Sequence, residues 1–329
     1  MIKSVIPALA FFFLVFLPPA EPEERPPAKI LLLHSYHADY PWVAAITDGV
    51  REVLTGDEFD LRIFYMDTKR NTSPRWFEEA GAAARKLIDE WQPEIVIAAD
   101  DNAQKFVTRR YAGEKTPLFV FCGVNEDPAT YGLPASNVTG LIERPLFTQS
   151  IDLALELIPR LRTVAVISDK SPTSIGALRY MRRQTIPVKT VGWNLIRDFD
   201  TWKKRVREYC LSADAVCIYM YHTLRDNESE KSLPPSRVME WTAENCTVPT
   251  IGFFDFAIND GVTLGVVESG EAYGRQAAQI AHQLLNGKTP DDFPVRTVET
   301  GKPMINPVSA RNSGLIIPEE TIDKIRTGK

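Results

Sequence analysis

Short apolar runs alternate with amphipathic stretches from residue 29 onward. Lys29–His34 is a continuous apolar run, as in a strand buried on both faces, and the following stretch has helical spacing. This alternation runs through four strands and then begins again. The predicted strands are Lys29–His34, Phe59–Met66, Glu94–Ala99, Pro117–Phe121, Asn137–Leu141, Thr163–Ser168, Ala215–Met220, Val248–Phe254 and Val262–Val267. The pattern predicts parallel sheets with helices on both faces.

The helices between these strands complete the prediction. Their expected bounds are Pro41–Leu54, Pro74–Trp91 with Ser73 as its cap, Asp101–Tyr111, Leu146–Ile158 and Gly270–Leu285. Because the alternation begins twice in 329 residues, we predict an α/β protein with two doubly wound parallel-sheet lobes joined by a hinge. We expect the chain to cross between lobes near residues 142–145 and 253–257. Residues 29–143 plus 257–297 then form lobe 1, and 144–256 plus 298–329 form lobe 2.

The first residues have the pattern of an export signal. Lys3 precedes an uncharged apolar run from Ser4 to Leu17, which is too short for a membrane span. We predict a signal peptide over residues 1–20, an extended Pro- and Glu-rich linker over 21–28 and a periplasmic location. Retention of this segment as an anchor is the alternative, because residues 18–22 are a poor cleavage site.

Net charge and cysteine spacing restrict the partners and the cysteine chemistry that the chain can have. A net charge of −5 argues against a nucleic-acid partner, which calls for a basic face. The four cysteines contain no CxxC pair, so zinc-ligand spacing is absent. In an oxidising compartment Cys210 and Cys217 are candidates for a disulfide, although Cys217 lies in an apolar run. We favour buried free thiols.

Polar and aromatic residues collect where the predicted strands end. In open α/β sheets, ligands bind at the carboxyl ends of strands, where loops meet helix N-termini. The residues predicted to bind a ligand are Ser35, Tyr36, Tyr40, Trp42, Asp101, Asn102, Gly123, Asn125, Ser168, Ser174, Tyr219, Tyr221 and Asp255.

Several of these residues have simpler interpretations. Asp101 and Asn102 are equally suited to cap the following helix, and Trp42 to be an ordinary core aromatic. Asp255 stands between two phenylalanines, where a carboxylate loses hydration unless it meets a cation. It either binds a ligand ammonium or caps a turn, and we favour the ammonium. The polar loop 222–235 is either a surface excursion or a flap over the cleft.

Catalytic chemistry has little support in the sequence. The chain has four histidines and lacks HExxH, GxSxG, Walker and GxGxxG strings. We therefore expect a binding protein rather than an enzyme, with no cofactor and no metal. A hydrolase on an α/β sheet is the weakest alternative, because the nucleophile elbow is missing.

Four stretches carry a resemblance to a known family. They are the opening ILLLHSYHADYPWVAAITDGV, the turn Asn137-Val138-Thr139-Gly140, the segment from Gly265 through Gly274 into RQAAQIAHQLLNGKTPDDFPV, and the closing ARNSGLIIPEETIDKI. The chain resembles bacterial periplasmic solute-binding proteins of ABC transporters, some of which bind aromatic amino acids. The resemblance implies a type I periplasmic-binding-protein fold with three cross-overs and a ligand in the cleft.

Two outputs remain open for this fold. The resemblance favours a monomer that delivers its ligand to an ABC permease in the inner membrane. The HSYH opening is similar to a subgroup that serves as sensory input modules, so a sensor kinase is the alternative partner. Tyr219, Tyr221 and the 222–235 insertion depart from the usual family pattern, which leaves the ligand class open. The aromatic residues and Asp255 favour an amino acid, or a similar zwitterion, with an apolar or aromatic body. Ser35, Asn102 and nearby backbone N–H groups then receive its carboxylate.

Overall fold

The computed structural model describes residues 26–229, 231–298 and 301–327. The predicted signal peptide, residues 1–20, lies outside the described residues, so its role stays a prediction. The described chain folds into two mostly parallel β-sheets, each flanked by helices, which confirms the predicted α/β fold class. No helix within those ranges is both long enough and apolar enough to cross a membrane.

The first sheet is parallel throughout. Its strands in chain order are β1 Ala28–His34, β2 Phe59–Tyr65, β3 Ile95–Ala99, β4 Leu118–Val124, β5 Val138–Ile142 and, late in the chain, β11 Arg296–Thr297. Their spatial order is β11-β5-β4-β3-β1-β2. The central strands are apolar and fully buried because helices cover both faces.

The second sheet repeats this plan with one antiparallel edge strand. It contains β6 Thr163–Asp169, β7 Lys189–Ile196, β8 Ala215–Ile218, β9 Thr250–Ile251, β10 Leu264–Val267 and β12 Lys302–Ile305. Their order is β12-β10-β9-β8-β6-β7, with β12 antiparallel to β10.

Helices flank these sheets, including the five predicted from the sequence, although the one expected to reach Tyr111 ends at Phe106. They are α1 Pro41–Val53, α2 Pro74–Trp91, α3 Asp100–Phe106, α4 Phe147–Leu157, α5 Pro172–Met181, α6 Phe199–Ser212, α7 Pro235–Asn245, α8 Asp255–Asn259, α9 Gly270–Leu285, α10 Pro307–Asn312 and α11 Glu319–Thr327. Short 3-10 turns cover Thr108–Arg110, Pro128–Tyr131 and Pro290–Asp292. As predicted, Ser73 caps α2 by accepting a hydrogen bond from the backbone N–H of Trp76.

The second connection between lobes lies later in the chain than the sequence analysis placed it. Strand β10 was expected in lobe 1, but it pairs with β9 and β12 in the second sheet. Helix α9 then packs on α1 in the first lobe, so the chain crosses between residues 267 and 270. The sheet to which β10 belongs depends on the two strands that pair with it. One of them, β12, comes from much later in the chain.

The expectation of buried free thiols is confirmed for Cys122 and Cys217 and wrong for Cys210 and Cys246. Cys210 forms a disulfide with Cys246, whereas Cys217 and Cys122 are free and buried. Cys217 lies inside β8, away from the edge where the ends of α6 and α7 meet. There the Cα atoms of Cys210 and Cys246 are 5.5 Å apart, within disulfide range.

Candidate ligand-binding site

The strand ends of the two sheets meet across a closed cleft. Tyr36, after β1, shares a 2.6 Å hydrogen bond with Thr173 of the second lobe. Tyr219, after β8, donates to Asn125 Oδ1 of the first lobe at 2.9 Å. An ion pair of 2.5 Å between Arg179 and Glu126 adds a further link. The structure is therefore that of the closed form.

Lys69 is a buried cation in this cleft. It follows the end of β2, and only 2% of it is exposed. Its Nζ lies 4.3 Å from the ring centre of Tyr36 and 5.0 Å from that of Tyr40. The Nζ has no hydrogen-bond partner. Burial lowers the pKa of Lys69, against the opposing attraction of nearby carboxylates, of which Asp169 is the strongest.

Asp100 is a buried carboxylate with one free oxygen. It begins α3 in a left-handed conformation, with φ at +65°. Trp42 Nε1 donates to its Oδ1 at 3.1 Å, while Oδ2 has no hydrogen-bond partner. Burial raises the pKa of Asp100, and the nearby Glu143 raises it further. An unpaired carboxylate oxygen at this depth calls for a donor.

Glu143 extends the acidic side of the cleft. It follows β5 where the chain first leaves the first lobe, and Tyr219 donates to its Oε1 at 3.2 Å. Burial raises the pKa of Glu143 to about 8. Gly123, with φ at +67°, lies against both carboxyl groups: a Cβ there would be 3.1 Å from Asp100 Oδ1 and 3.6 Å from Glu143 Oε2.

Aromatic rings from both lobes surround these charges. Trp42 of the first lobe packs edge-on against Phe254 of the second, with ring centres 5.4 Å apart. Tyr219 lies 5.4 Å from the same phenylalanine ring. Tyr40 contacts His222 and donates a hydrogen bond to Met220 Sδ at 3.5 Å. Tyr40, Trp42 and Tyr219, three of the aromatic residues predicted at strand ends, therefore pack together where the lobes meet; their contact with a ligand stays a prediction.

A cavity of about 440 Å³ opens between the lobes next to Lys69. The first lobe contributes Tyr36, Asn102 and Phe77 to its wall, and the second contributes the start of α5. The side chain of Asn102 donates to Thr68 Oγ1 at 2.8 Å and leaves its own Oδ1 without a partner. The volume lies within the range of small-molecule sites.

The 222–235 loop lies at the mouth of the cleft. A groove of about 740 Å³ runs between this loop and the start of α2. Arg225 donates to Thr72 Oγ1, and Ser232 Oγ donates to the carbonyl of Lys69 at 3.4 Å. The loop thus crosses from the second lobe to the first, which is the position of a flap.

Four predicted ligand residues have their polar atoms engaged within their own lobe. Ser35 Oγ donates to the Ala99 carbonyl at 2.6 Å and accepts from the backbone N–H of Ala103. Asp101 accepts from the backbone N–H groups of Asn125 and Glu126 and from the hydroxyl of Tyr131. Ser168 and Ser174 bond to each other, and Ser174 also donates to Asp169 Oδ1. These residues shape the loops that carry the site.

The expectation for Asp255 was wrong in its premise. Its side chain is exposed, at the first position of α8, and its Oδ1 accepts from the following backbone N–H at 2.7 Å. It is not a buried carboxylate among rings. Tyr221 also turns away from the first lobe, because its hydroxyl donates to Asp260 within the second lobe at 2.5 Å.

Sequence reasoning missed Lys69, Asp100, Glu143 and Thr173 as site residues. Lys69 follows the end of β2 and Glu143 follows the end of β5. The prediction left out both of these strand ends, so the strand-end rule itself would have found both residues. Asp100 precedes two residues that were chosen. The local sequence does not show that Glu143 is buried, since its burial depends on Tyr219 from the other lobe.

The sequence profile of the family described as ABC transporter substrate binding protein matches residues 38–326. The chain belongs to this family. No curated protein sequence matches this substrate-binding protein.

Solved structures agree with this assignment at the level of the fold. A conserved domain protein from Vibrio cholerae O1 biovar El Tor is 18% identical, with a TM-score of 0.70 over 90% of this chain and 97% of that one. An ABC domain from Streptococcus pneumoniae in complex with L-Trp is 18% identical, with a TM-score of 0.66 over 90% and 98%. A Bacillus halodurans ABC transporter solute-binding protein with bound myo-inositol is 10% identical, with a TM-score of 0.54 over 89% and 100%. The type I periplasmic-binding-protein fold is shared, but the ligands named for these relatives differ in kind.

Proposed function

We propose that this substrate-binding protein captures a small zwitterionic solute in the periplasm and delivers it to the permease of an ABC importer. The observation that carries the proposal is a buried amine and a buried carboxyl group in the closed cleft, each with an unsatisfied atom. Lys69 Nζ and Asp100 Oδ2 are both buried and both without a hydrogen-bond partner. Among the described residues, no ion pair within 4 Å includes either side chain.

A zwitterion satisfies both groups at once. Ionising either group at this depth without a partner costs several kcal/mol, so a ligand that supplies both opposite charges stabilises the ionised pair and with it the closed cleft. The ligand ammonium pairs with Asp100, on the side of the cleft where Glu143 also lies. The ligand carboxylate pairs with Lys69, and the free Asn102 Oδ1 accepts a further ammonium hydrogen.

The aromatic wall suits an apolar body on this zwitterion. Tyr36, Tyr40, Trp42 and Tyr219 offer ring faces and edges beside the charged groups. An amino acid with an apolar or aromatic side chain meets these requirements. Asp100 thereby takes the ammonium role that the sequence analysis gave to Asp255.

The test is titration calorimetry of the exported protein against the standard amino acids, myo-inositol and ribose. We expect an amino acid to bind. Asp100→Asn keeps the acceptor for Trp42 but removes the charge, and should weaken binding by about 2 kcal/mol or more, about 30-fold. Asp255→Asn is the matched control and should bind as tightly as the wild type.

Two results would overturn the proposal. One is tight binding of a sugar with no binding of any amino acid. The other is an Asp100→Asn variant with unchanged affinity for the bound amino acid. Small-angle scattering adds a conformational readout, since we expect the ligand to reduce the radius of gyration by closing the lobes about their connecting segments.

A further inference from the structure

The cavity beside Lys69 is surrounded by positive charge. Lys170, Arg197 and Arg225 of the second lobe line it together with Lys69 of the first. Among the described residues that line it, none has a carboxylate side chain. The whole chain has more acidic than basic residues, 43 against 38, so a cavity wall with four cations and no carboxylate departs from its average surface.

These cations form no salt bridge with the described part of the protein. None of the ion pairs formed among the described residues includes Lys69, Lys170, Arg197 or Arg225. Asp169, the carboxylate that attracts Lys69 most strongly, has both oxygens engaged. Its Oδ1 accepts from Ser171 and Ser174, and its Oδ2 accepts from the backbone N–H of Thr223.

The start of α5 strengthens the same electrostatic preference. Ser171 caps this ten-residue helix, and Ser171, Pro172 and Thr173 all line the cavity. The N-terminal end of a helix carries partial positive charge, which favours an anion near it. The remaining wall includes apolar surface from Phe77 and Ile175.

We infer that the solute carries a second carboxylate at the far end of an apolar side chain, and that this group lies against Lys170, Arg197 and Arg225. The inference rests on the proposed function, in which Asp100 and Lys69 hold the ammonium and the first carboxylate. The planar fork of an arginine suits a carboxylate, and two arginines meet at this cavity. The ligand class is then an amino dicarboxylic acid, with a net charge of −1.

The test compares matched pairs of probes that differ only in the terminal group. The pairs are 4-carboxyphenylalanine with 4-carbamoylphenylalanine, and glutamate with glutamine. At low ionic strength we expect the acid of at least one pair to bind about tenfold more tightly than its amide. The double variant Lys170→Gln/Arg197→Gln should reduce that ratio to about threefold or less, because it weakens binding of the acid more than binding of the amide.

Lys204→Gln is the control, because it removes one positive charge from an exposed site on the same lobe. It should keep the acid-to-amide ratio of the wild type. Acid and amide binding equally in both pairs would overturn this inference, as would a ratio that the double variant leaves unchanged. Either result leaves the proposed function standing if a neutral amino acid binds and Asp100→Asn weakens it. Failure of every amino acid to bind overturns both this inference and the proposed function.

Discussion

Replacing Glu143 with glutamine tests how burial of the cleft acids affects the stability of the fold. Only 2% of Glu143 is exposed, and burial raises its pKa from the ordinary 4.5 to about 8. Glutamine cannot ionise, but it keeps an oxygen that accepts from the Tyr219 hydroxyl. The variant therefore removes the titration and preserves the hydrogen bond.

The sign follows from proton binding in the two states. Between pH 4.5 and about 8 the folded protein holds a proton on Glu143 that the unfolded chain has released. Raising the pH through this window therefore destabilises the wild type. The stabilisation is complete below pH 4.5 and lost at about pH 8. A shift of this size corresponds to about 5 kcal/mol in the free energy of unfolding.

Urea unfolding from pH 5 to pH 9 measures this difference. We expect the free energy of unfolding of Glu143→Gln, relative to that of the wild type, to rise by several kcal/mol across that range. The rise should be steepest between pH 5 and 8. Exposed Glu156→Gln is the control, and its difference from the wild type should stay flat, because that side chain is in water in both states. Stability curves of wild type and Glu143→Gln that run parallel from pH 5 to 9 would refute the reasoning.

Two further predictions concern the scaffold. Removing the Cys210–Cys246 bridge, by reduction or by serine at both positions, should cost about 2–4 kcal/mol, because it frees a loop of 36 residues in the unfolded chain; denaturation curves that reductant does not change would contradict this. Gly274→Ala should cost about 1–3 kcal/mol, because a Cβ there would lie 2.1 Å from the carbonyl oxygen of Ile46 and force α9 away from α1. Thermal and urea unfolding measure that cost, with exposed Gln279→Ala on the same helix as the control, and equal stability of the two variants would disprove the close-approach argument.

The local sequence was sufficient to predict the fold class and most of the strands. Continuous apolar runs such as Ile95–Ala99 mark strands buried on both faces, and a capping serine followed by proline marks the start of α2. These signals are local, since they depend on hydrophobic periodicity and backbone geometry within a few residues. The aromatic residues at strand ends were predictable for the same reason, because parallel strands bring those ends to one edge of the sheet.

Only the tertiary structure decided the pairings between distant segments. The sheet that contains β10 depends on a partner strand from residues 302–305, and the partner of Cys210 lies 36 residues away. The charged residues of the site likewise depend on segments that are distant in the chain. Lys69 and Asp100 matter because closing of the second lobe buries them without partners, whereas Asp255, which looked buried from its neighbours, is turned to solvent. Burial of a charge is a property of everything packed around it, and the residues next to it in the chain supply only part of that surrounding.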